Sequence, residues 1–247
     1  RWWMVLFVVT VVFSVIYLWL YPGLGSAKGS LNWTSTGQYE AEQARARAAI
    51  APLYARFAAM DEKQLAADVQ AMAIGERLFI NNCAACHGSD GRGSKGFPNL
   101  TDSDWLWGGS FADVQKTITE GRNGVMPPMA EAIGGGDNVR NIAQYVLSLA
   151  GSPHDSVAAQ LGKPKFAVCA ACHGPEGKGN PAVGAPNLTD KVWLHGWGEE
   201  AIAAMVNNGK NNAMPAQASR LTPEQIRVLA AYVLRLSQGT TKVAANP

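Results

Sequence analysis

The sequence predicts a mainly α chain: one N-terminal transmembrane helix followed by two tandem copies of one small domain. Three observations predict it. From Trp2 to Ala27 the chain carries no charge. The phrase CAACHGSDGRGS at 83–94 returns as CAACHGPEGKGN at 169–180. Helical spacing of apolar residues is visible, whereas strand-type alternation hardly is. Composition agrees. The 247 residues suffice for two domains of about 100 residues each. Charged residues make up 16%, below the roughly 25% of an average soluble domain, which fits a membrane segment. A net charge of +2 is too small to suggest nucleic acid, and there is no Lys/Arg-rich run, so no nucleic-acid partner is expected.

The elements follow in order. Residues 1–27 are the expected anchor. Trp2 to Tyr21 is almost wholly apolar, enough helix to span about 30 Å of hydrocarbon. Trp2 and Trp3 stand at one end and Tyr17, Trp19 and Tyr21 near the other, as interfacial aromatic belts do. The run is too long and too aromatic for a cleaved signal peptide, and Pro22-Gly23 ends it. The chain starts at Arg1 rather than Met, so upstream residues are expected, with room for a further transmembrane helix. Residues 28–66 form a linker with a juxtamembrane helix over Tyr39–Met60, interrupted at Pro52. Its stripe Ile50, Leu53, Tyr54 and Phe57 suits either its own domain or a partner subunit, and both readings stand.

From residue 67 the chain repeats itself. Cys83 and Cys169 are 86 apart; PNLTD at 98–102 and 186–190, and Gly121–Pro127 against Gly209–Pro215, are each 88 apart. The expected domains are therefore 67–151 and 152–240, joined at the turn-prone Gly151-Ser152-Pro153, with a tail over 241–247. Each copy has a helix before its cysteines (Gly75 and Phe79; Gly162 and Phe166), a Gly/Pro loop, a second helix (111–120; 199–207), a Met-Pro loop, and a last helix with Tyr145 or Tyr232.

Cys-x-x-Cys-His is the attachment signature of a c-type haem. Two thiols on one helical turn add to the two vinyl groups, and the next residue coordinates iron from one face. Cys83, Cys86, Cys169 and Cys172 are thus the expected attachment residues for two haem c groups, with His87 and His173 as axial ligands. No βαβ pattern supports a thioredoxin-like disulfide, and pooling both pairs on zinc leaves the two histidines unexplained. The two domains are accordingly expected to be tandem cytochrome c domains, outside the cytoplasm, where c-type haem is attached. Met126 and Met214 occupy the same repeat position in Gly/Pro-rich loops, 39 and 41 residues after the motif histidines, and are the expected sixth ligands; thioether opposite imidazole raises the potential. Met129 is the rival of Met126, while Met60, Met72 and Met205 read as helix core. His154 and His195 lack repeat partners and read as surface or supporting residues. Gly88, Gly91, Gly93, Gly174, Gly177 and Gly179 allow tight turns. The carbonyls of Pro98 and Pro186 are candidates to accept the histidine ring N–H. Trp105, Trp107, Trp193 and Trp197 read as shields of the haem edges. With both faces of each iron taken, the chain reads as an electron relay with no catalytic site of its own.

Several stretches together, Asn32-Trp33-Thr34, Gln38-Tyr39-Glu40, Phe97–Asp102 and Trp105-Leu106-Trp107-Gly108-Gly109, give nearly the whole chain a resemblance to the dihaem cytochrome c subunit of the cbb3-type haem-copper cytochrome c oxidases. The resemblance implies a subunit in the bacterial inner membrane with its haem domains in the periplasm. It implies electron transfer from a soluble periplasmic cytochrome c donor, through a monohaem cytochrome c subunit, to a haem-copper catalytic subunit that reduces oxygen. It also implies exchanged methionines, Met126 serving the haem of Cys169/Cys172 and Met214 that of Cys83/Cys86; from spacing alone, ligation within each repeat is the simpler arrangement. A free membrane-anchored dihaem carrier and the cytochrome subunit of a periplasmic dehydrogenase are the alternatives.

Overall fold

The computed structural model describes residues 1–243 apart from Leu24 and Ala27. The end of the expected anchor at Ala27 and residues 244–247 of the expected tail lie outside the described residues. The chain divides into two compact units, Arg1–Arg56 and Phe57 onward.

In the first unit α1 (Trp2–Leu20) has no buried residue and, at 1.5 Å per residue, is about 28 Å long. Among the described residues it alone is long and apolar enough to cross a membrane. It ends where Tyr21 turns extended and its N–H donates to the Tyr17 carbonyl. The chain then folds back: Ser30 N–H donates to the Trp19 carbonyl at 2.9 Å and Leu31 N–H to that of Leu20 at 3.1 Å, so the linker satisfies carbonyls a helix end leaves open. Trp33 meets Tyr21 edge-on at 5.7 Å and donates its indole N–H to Gln38 Oε1 at 3.0 Å. Two of the sequence stretches singled out above thus stitch the end of α1 to the start of α2 (Ser35–Ala58). Pro52 was expected to interrupt that helix. It lies inside it: the missing N–H leaves one carbonyl unpaired, and the Ala-rich flanks carry the helix past it. Of the stripe, Phe57 is buried, Leu53 and Tyr54 half-buried and Ile50 exposed.

The second unit holds α3 (Glu62–Ala67), α4 (Val69–Asn82), α5 (Ala84–His87), α6 (Phe111–Glu120), β1 (Arg122–Met126), α7 (Asp137–Leu149), α8 (Ser156–Gly162), α9 (Ala167–His173), α10 (Glu199–Asn208), β2 (Lys210–Met214) and α11 (Pro223–Val243). Starts are fixed chemically: Asp61 and Ser110 make capping boxes with Gln64 and Asp113, and Asp155 caps α8 through the N–H groups of Val157 and Ala158. The helix before the second cysteine pair is broken, a 3₁₀ turn over Lys163–Phe166 separating α8 from α9, because Pro164 enters there.

Packing does not follow the sequence repeats. The last helix of the first repeat, α7, packs on α8 and α10 of the second; the last helix of the second, α11, packs on α4 and α6 of the first and on α3, just ahead of it. One core joins Ile133, Val139, Ile142, Ala143, Val146 and Leu147 to Phe166, Ile202 and Val206. Ring contacts repeat the exchange, Phe79 with Tyr232 at 5.7 Å and Phe166 with Tyr145 at 5.2 Å. Both crossings need glycine. A Cβ on Gly75 would stand 2.7 Å from Tyr232 Cβ, and one on Gly162 2.1 Å from the Asn141 carbonyl oxygen.

The strands were not expected from the sequence. They are five residues each and pair antiparallel across the repeats, Arg122 opposite Met214 and Met126 opposite Lys210. β1 alternates half-buried and exposed positions, but neither strand alternates apolar with polar residue types, because the ribbon lies in a Gly/Asn-rich loop and its partner is 88 residues away.

Candidate haem-binding sites

Each Cys-x-x-Cys-His occupies one helical turn. Cys83 caps α5, which carries Cys86 and His87; α9 carries Cys169, Cys172 and His173. Both turns stop at a glycine with φ of +78°, Gly88 and Gly174. The loops then run over Gly91 and Gly93, or Gly177 and Gly179, also at positive φ. A Cβ on Gly93 would sit 2.3 Å from the Phe97 carbonyl oxygen and one on Gly179 2.6 Å from that of Ala185, so the loops close only without one.

PNLTD has a structural meaning. Leu100 N–H donates to the Gly91 carbonyl, and Leu188 N–H to that of Gly177, both at 2.7 Å. Asn99 accepts from the N–H and hydroxyl of Thr101, as Asn187 does from Thr189. This holds each proline carbonyl over its histidine. His87 Nδ1 lies 3.0 Å from the Pro98 carbonyl and His173 Nδ1 3.0 Å from that of Pro186. A carbonyl only accepts, so Nδ1 carries the proton and Nε2 keeps its lone pair. Both rings are buried. Burial, partly offset by the Pro186 bond, holds His173 below its ordinary range, which keeps it neutral, the form that binds metal. Burial, with the neighbouring Cys86, pushes Cys83 up to about 11, and burial likewise raises Cys169.

A cavity of about 580 Å³ opens beside the second turn, in the range of small-molecule sites. Cys169, Cys172 and His173 line it, together with Met126, Met129 and Trp193. Met126 thus reaches the second site from the first repeat. The segment after it is fixed there by the Met129 N–H donating to the Val206 carbonyl of α10 at 2.8 Å. Its repeat counterpart does the reverse: Gln217 N–H donates to the Ile118 carbonyl of α6 at 2.9 Å, and the Met214 carbonyl lies against Gly121 at the end of α6. Met205, read as helix core, instead lines the cavity; a helical Met facing a cofactor and one facing a core have the same sequence period. Met72 is buried as expected. Of the four tryptophans Trp193 alone lines this cavity; Trp107 lies against Gly184 and under the Arg122 guanidinium, and Trp197 is exposed. His154 Nδ1 pairs with the Ser152 carbonyl.

These donors fit a covalently held haem. Paired thiols, a neutral imidazole with a free lone pair and thioethers meet at one cavity, and the buried indole N–H of Trp193 has no acceptor among the described residues, as a site completed by a polar cofactor would leave it.

Two such turns in one helical chain define a dihaem cytochrome c. The family described as cytochrome c oxidase, cbb3-type, subunit III matches residues 70–146 and 163–233, and the N-terminal domain of cytochrome oxidase-cbb3, FixP, matches 1–28. The chain is 66% identical to the cbb3-type cytochrome c oxidase subunit CcoP of Rubrivivax gelatinosus, over 99% of this chain and 80% of that one. It is 38% identical to the subunit FixP of Bradyrhizobium sp. (strain ORS 278) and 34% to CcoP of Cereibacter sphaeroides, each over 97% of this chain and 89% of the relative. The chain belongs to the cbb3-type cytochrome c oxidase subunit III family. It is a membrane-anchored dihaem cytochrome c that transfers electrons as a subunit of the oxidase, beside other oxidase subunits.

Proposed function

We propose that the chain takes electrons from a soluble periplasmic cytochrome c and passes them, through a monohaem subunit, to the haem-copper subunit, its haem domains lying on the periplasmic side of the anchor α1. Cys83 and Cys86 would hold one haem and Cys169 and Cys172 the other, and His87 and His173 would ligate the irons through Nε2. The sixth ligands are exchanged, Met126 completing the site of His173 and Met214 that of His87. The observation that carries this reading is the antiparallel ribbon, which joins the two Met-Pro loops across the repeats and leaves Met126 on the wall of the cavity that holds His173. Met129 is the weaker ligand candidate, because its repeat counterpart is Gln217, which has no thioether. When bound, the haems supply the one-electron chemistry. The protein would set its ease by thioether ligation, burial and the proline-bonded histidines, and with His and Met both bound neither iron would keep a position for a substrate.

Carbon monoxide tests this. The reduced protein is expected to bind little of it at either haem, and Met126→Ala to open one haem only, that of Cys169/Cys172. Ready binding by the unaltered protein, or opening of the other haem, overturns the reading.

A further inference from the structure

At the edge of the second cavity two loops from different repeats meet. Gly96 N–H donates to the Leu194 carbonyl at 2.7 Å, setting His195 against Gly96 and Lys95 against Gly196, where a Cβ would lie 3.8 Å from Lys95 Nζ. Lys210 and Asn212 of β2 complete the group, and Lys95, His195, Lys210 and Asn212 all line the cavity. In the first repeat the corresponding positions, 88 residues earlier, hold Trp107, Arg122 and Gly124, where the guanidinium stacks on the indole 4.9 Å from its centroid. The second repeat has replaced a stacked, spent cation by an imidazole flanked by two ammonium groups. Asn212 Nδ2 lies 2.9 Å from His195 Nε2; the amide N–H donates, so the imidazole proton sits on Nδ1, a donor with no partner among the described residues. Burial first, then the charges of Lys210 and Lys95, hold His195 below its ordinary range, consistent with that neutral form.

The lysines have no carboxylate partner among the described residues; Arg92, on the same wall, pairs with Asp90. Asp102 and Asp104 also line the cavity. Burial chiefly raises both, and the charge of Asp190 adds to it. Trp193, two residues from His195, brings the unpaired buried indole N–H. These cations and unpaired donors line one cavity, and an anion with several acceptor oxygens would pair with them.

We propose that Lys95, His195, Lys210 and Asn212 form a carboxylate-binding corner of the second cavity, which holds a propionate of the haem tied to Cys169 and Cys172 and raises that haem's potential. The corner joins residues of both repeats, and the matching positions of the first repeat hold Trp107, Arg122 and Gly124 instead, so it makes two like-ligated haems unequal. Cations beside the haem favour its reduced, less positive form, which gives the sign. The proposal rests on the second cavity being a haem site, as under Proposed function.

The test is a spectroscopic redox titration of the full-length holoprotein, resolving both haems, for Lys95→Gln/Lys210→Gln and for the charge-keeping Lys95→Arg/Lys210→Arg. The expected result is a lowered potential at the haem of Cys169/Cys172 alone in the glutamine pair, restored in the arginine pair, with two covalent haems in each. No shift, or an equal shift at both haems as a general surface field produces, overturns it. So does an unchanged potential with weaker, less salt-dependent reduction by a donor cytochrome, which makes the lysines a docking patch. The sulfur-to-iron absorption band is read in the same samples. Its absence from the unaltered protein sinks the methionine assignment and leaves the potential shift still decisive for the corner.

Discussion

At the scale of the residue, the second cavity concentrates the consequences. Met126 and Met129 both line it, and only Met126 has a methionine at the matching repeat position. Replacing thioether by imidazole at an iron strengthens the oxidised state, so Met126→His is expected to lower the potential of the haem of Cys169/Cys172. The fall is on the order of a few tenths of a volt, within the ~0.8 V that axial ligands span. Met214→His is expected to do the same at the other haem, and Met129→Leu to leave both nearly unchanged. Redox titration checks all three; a shift at the wrong haem in Met126→His points to ligation within each repeat. The covalent and axial candidates on the Cys-x-x-Cys-His turns were legible because each is a contiguous chemical phrase. So were the proline carbonyls, since the following PNLTD fixes them locally. His195 and Met205 were not, because each matters through residues distant in sequence: Lys95 and Asn212 for the first, the cavity for the second.

At the scale of the element, the two glycine crossings carry the fold. Gly75 lets α4 approach α11, and Gly162 lets α8 approach α7. In each case the close partner comes from the other repeat. A Cβ at Gly162 would press on backbone, 2.1 Å from the Asn141 carbonyl oxygen, where no side chain can rotate away. Gly162→Ala is therefore expected to cost at least the roughly 1–3 kcal/mol of an overpacked core. Thermal denaturation should fall by about 2–4 °C per kcal/mol for a unit of this size. Gly124→Ala, whose Cβ would have its nearest neighbour at 3.6 Å and whose φ is not left-handed, is the control expected to change little. Equal melting for both variants would remove the close crossing as the reason for glycine. The helices themselves were legible from apolar spacing and caps. The ribbon was not, since its pairing is long-range and its residues are poor strand formers.

At the scale of the whole molecule, the repeats are units of sequence and not of packing. The core around α7, α8 and α10 draws its buried residues from Ile133 to Val206, an unbroken segment in which the helix that should come last comes first. The other core needs α3, α4 and α6 from before that segment and α11 from after it. The antiparallel ribbon makes this possible. Arg122 faces Met214, and the Gly121 backbone lies against the Met214 carbonyl. The chain therefore leaves the first core and re-enters it at adjacent points, as a tolerated insertion requires. Ribbon geometry also spreads the two methionines. Four steps of about 3.3 Å carry Met126 and Met214 to opposite ends, about 13 Å apart. No reading of either repeat alone reveals this, because within each the order of helices is that of an ordinary small cytochrome domain. The consequence is testable by cutting the chain. A fragment over residues 122–210 keeps a complete core, the turn with Cys169, Cys172 and His173, and Met126. Expressed with haem-attachment machinery, it is expected to yield a compact protein with one covalent haem and a sulfur-to-iron absorption band. A fragment over 57–151 keeps Cys83, Cys86, His87 and Met126 but lacks α11, so Phe79, Val114 and Ile118, all buried in the intact chain, lose their cover. It is expected to aggregate or to unfold without cooperativity. Should 57–151 fold with a methionine-ligated haem while 122–210 does not, the cores follow the repeats, and both the exchange of helices and that of methionines fall together.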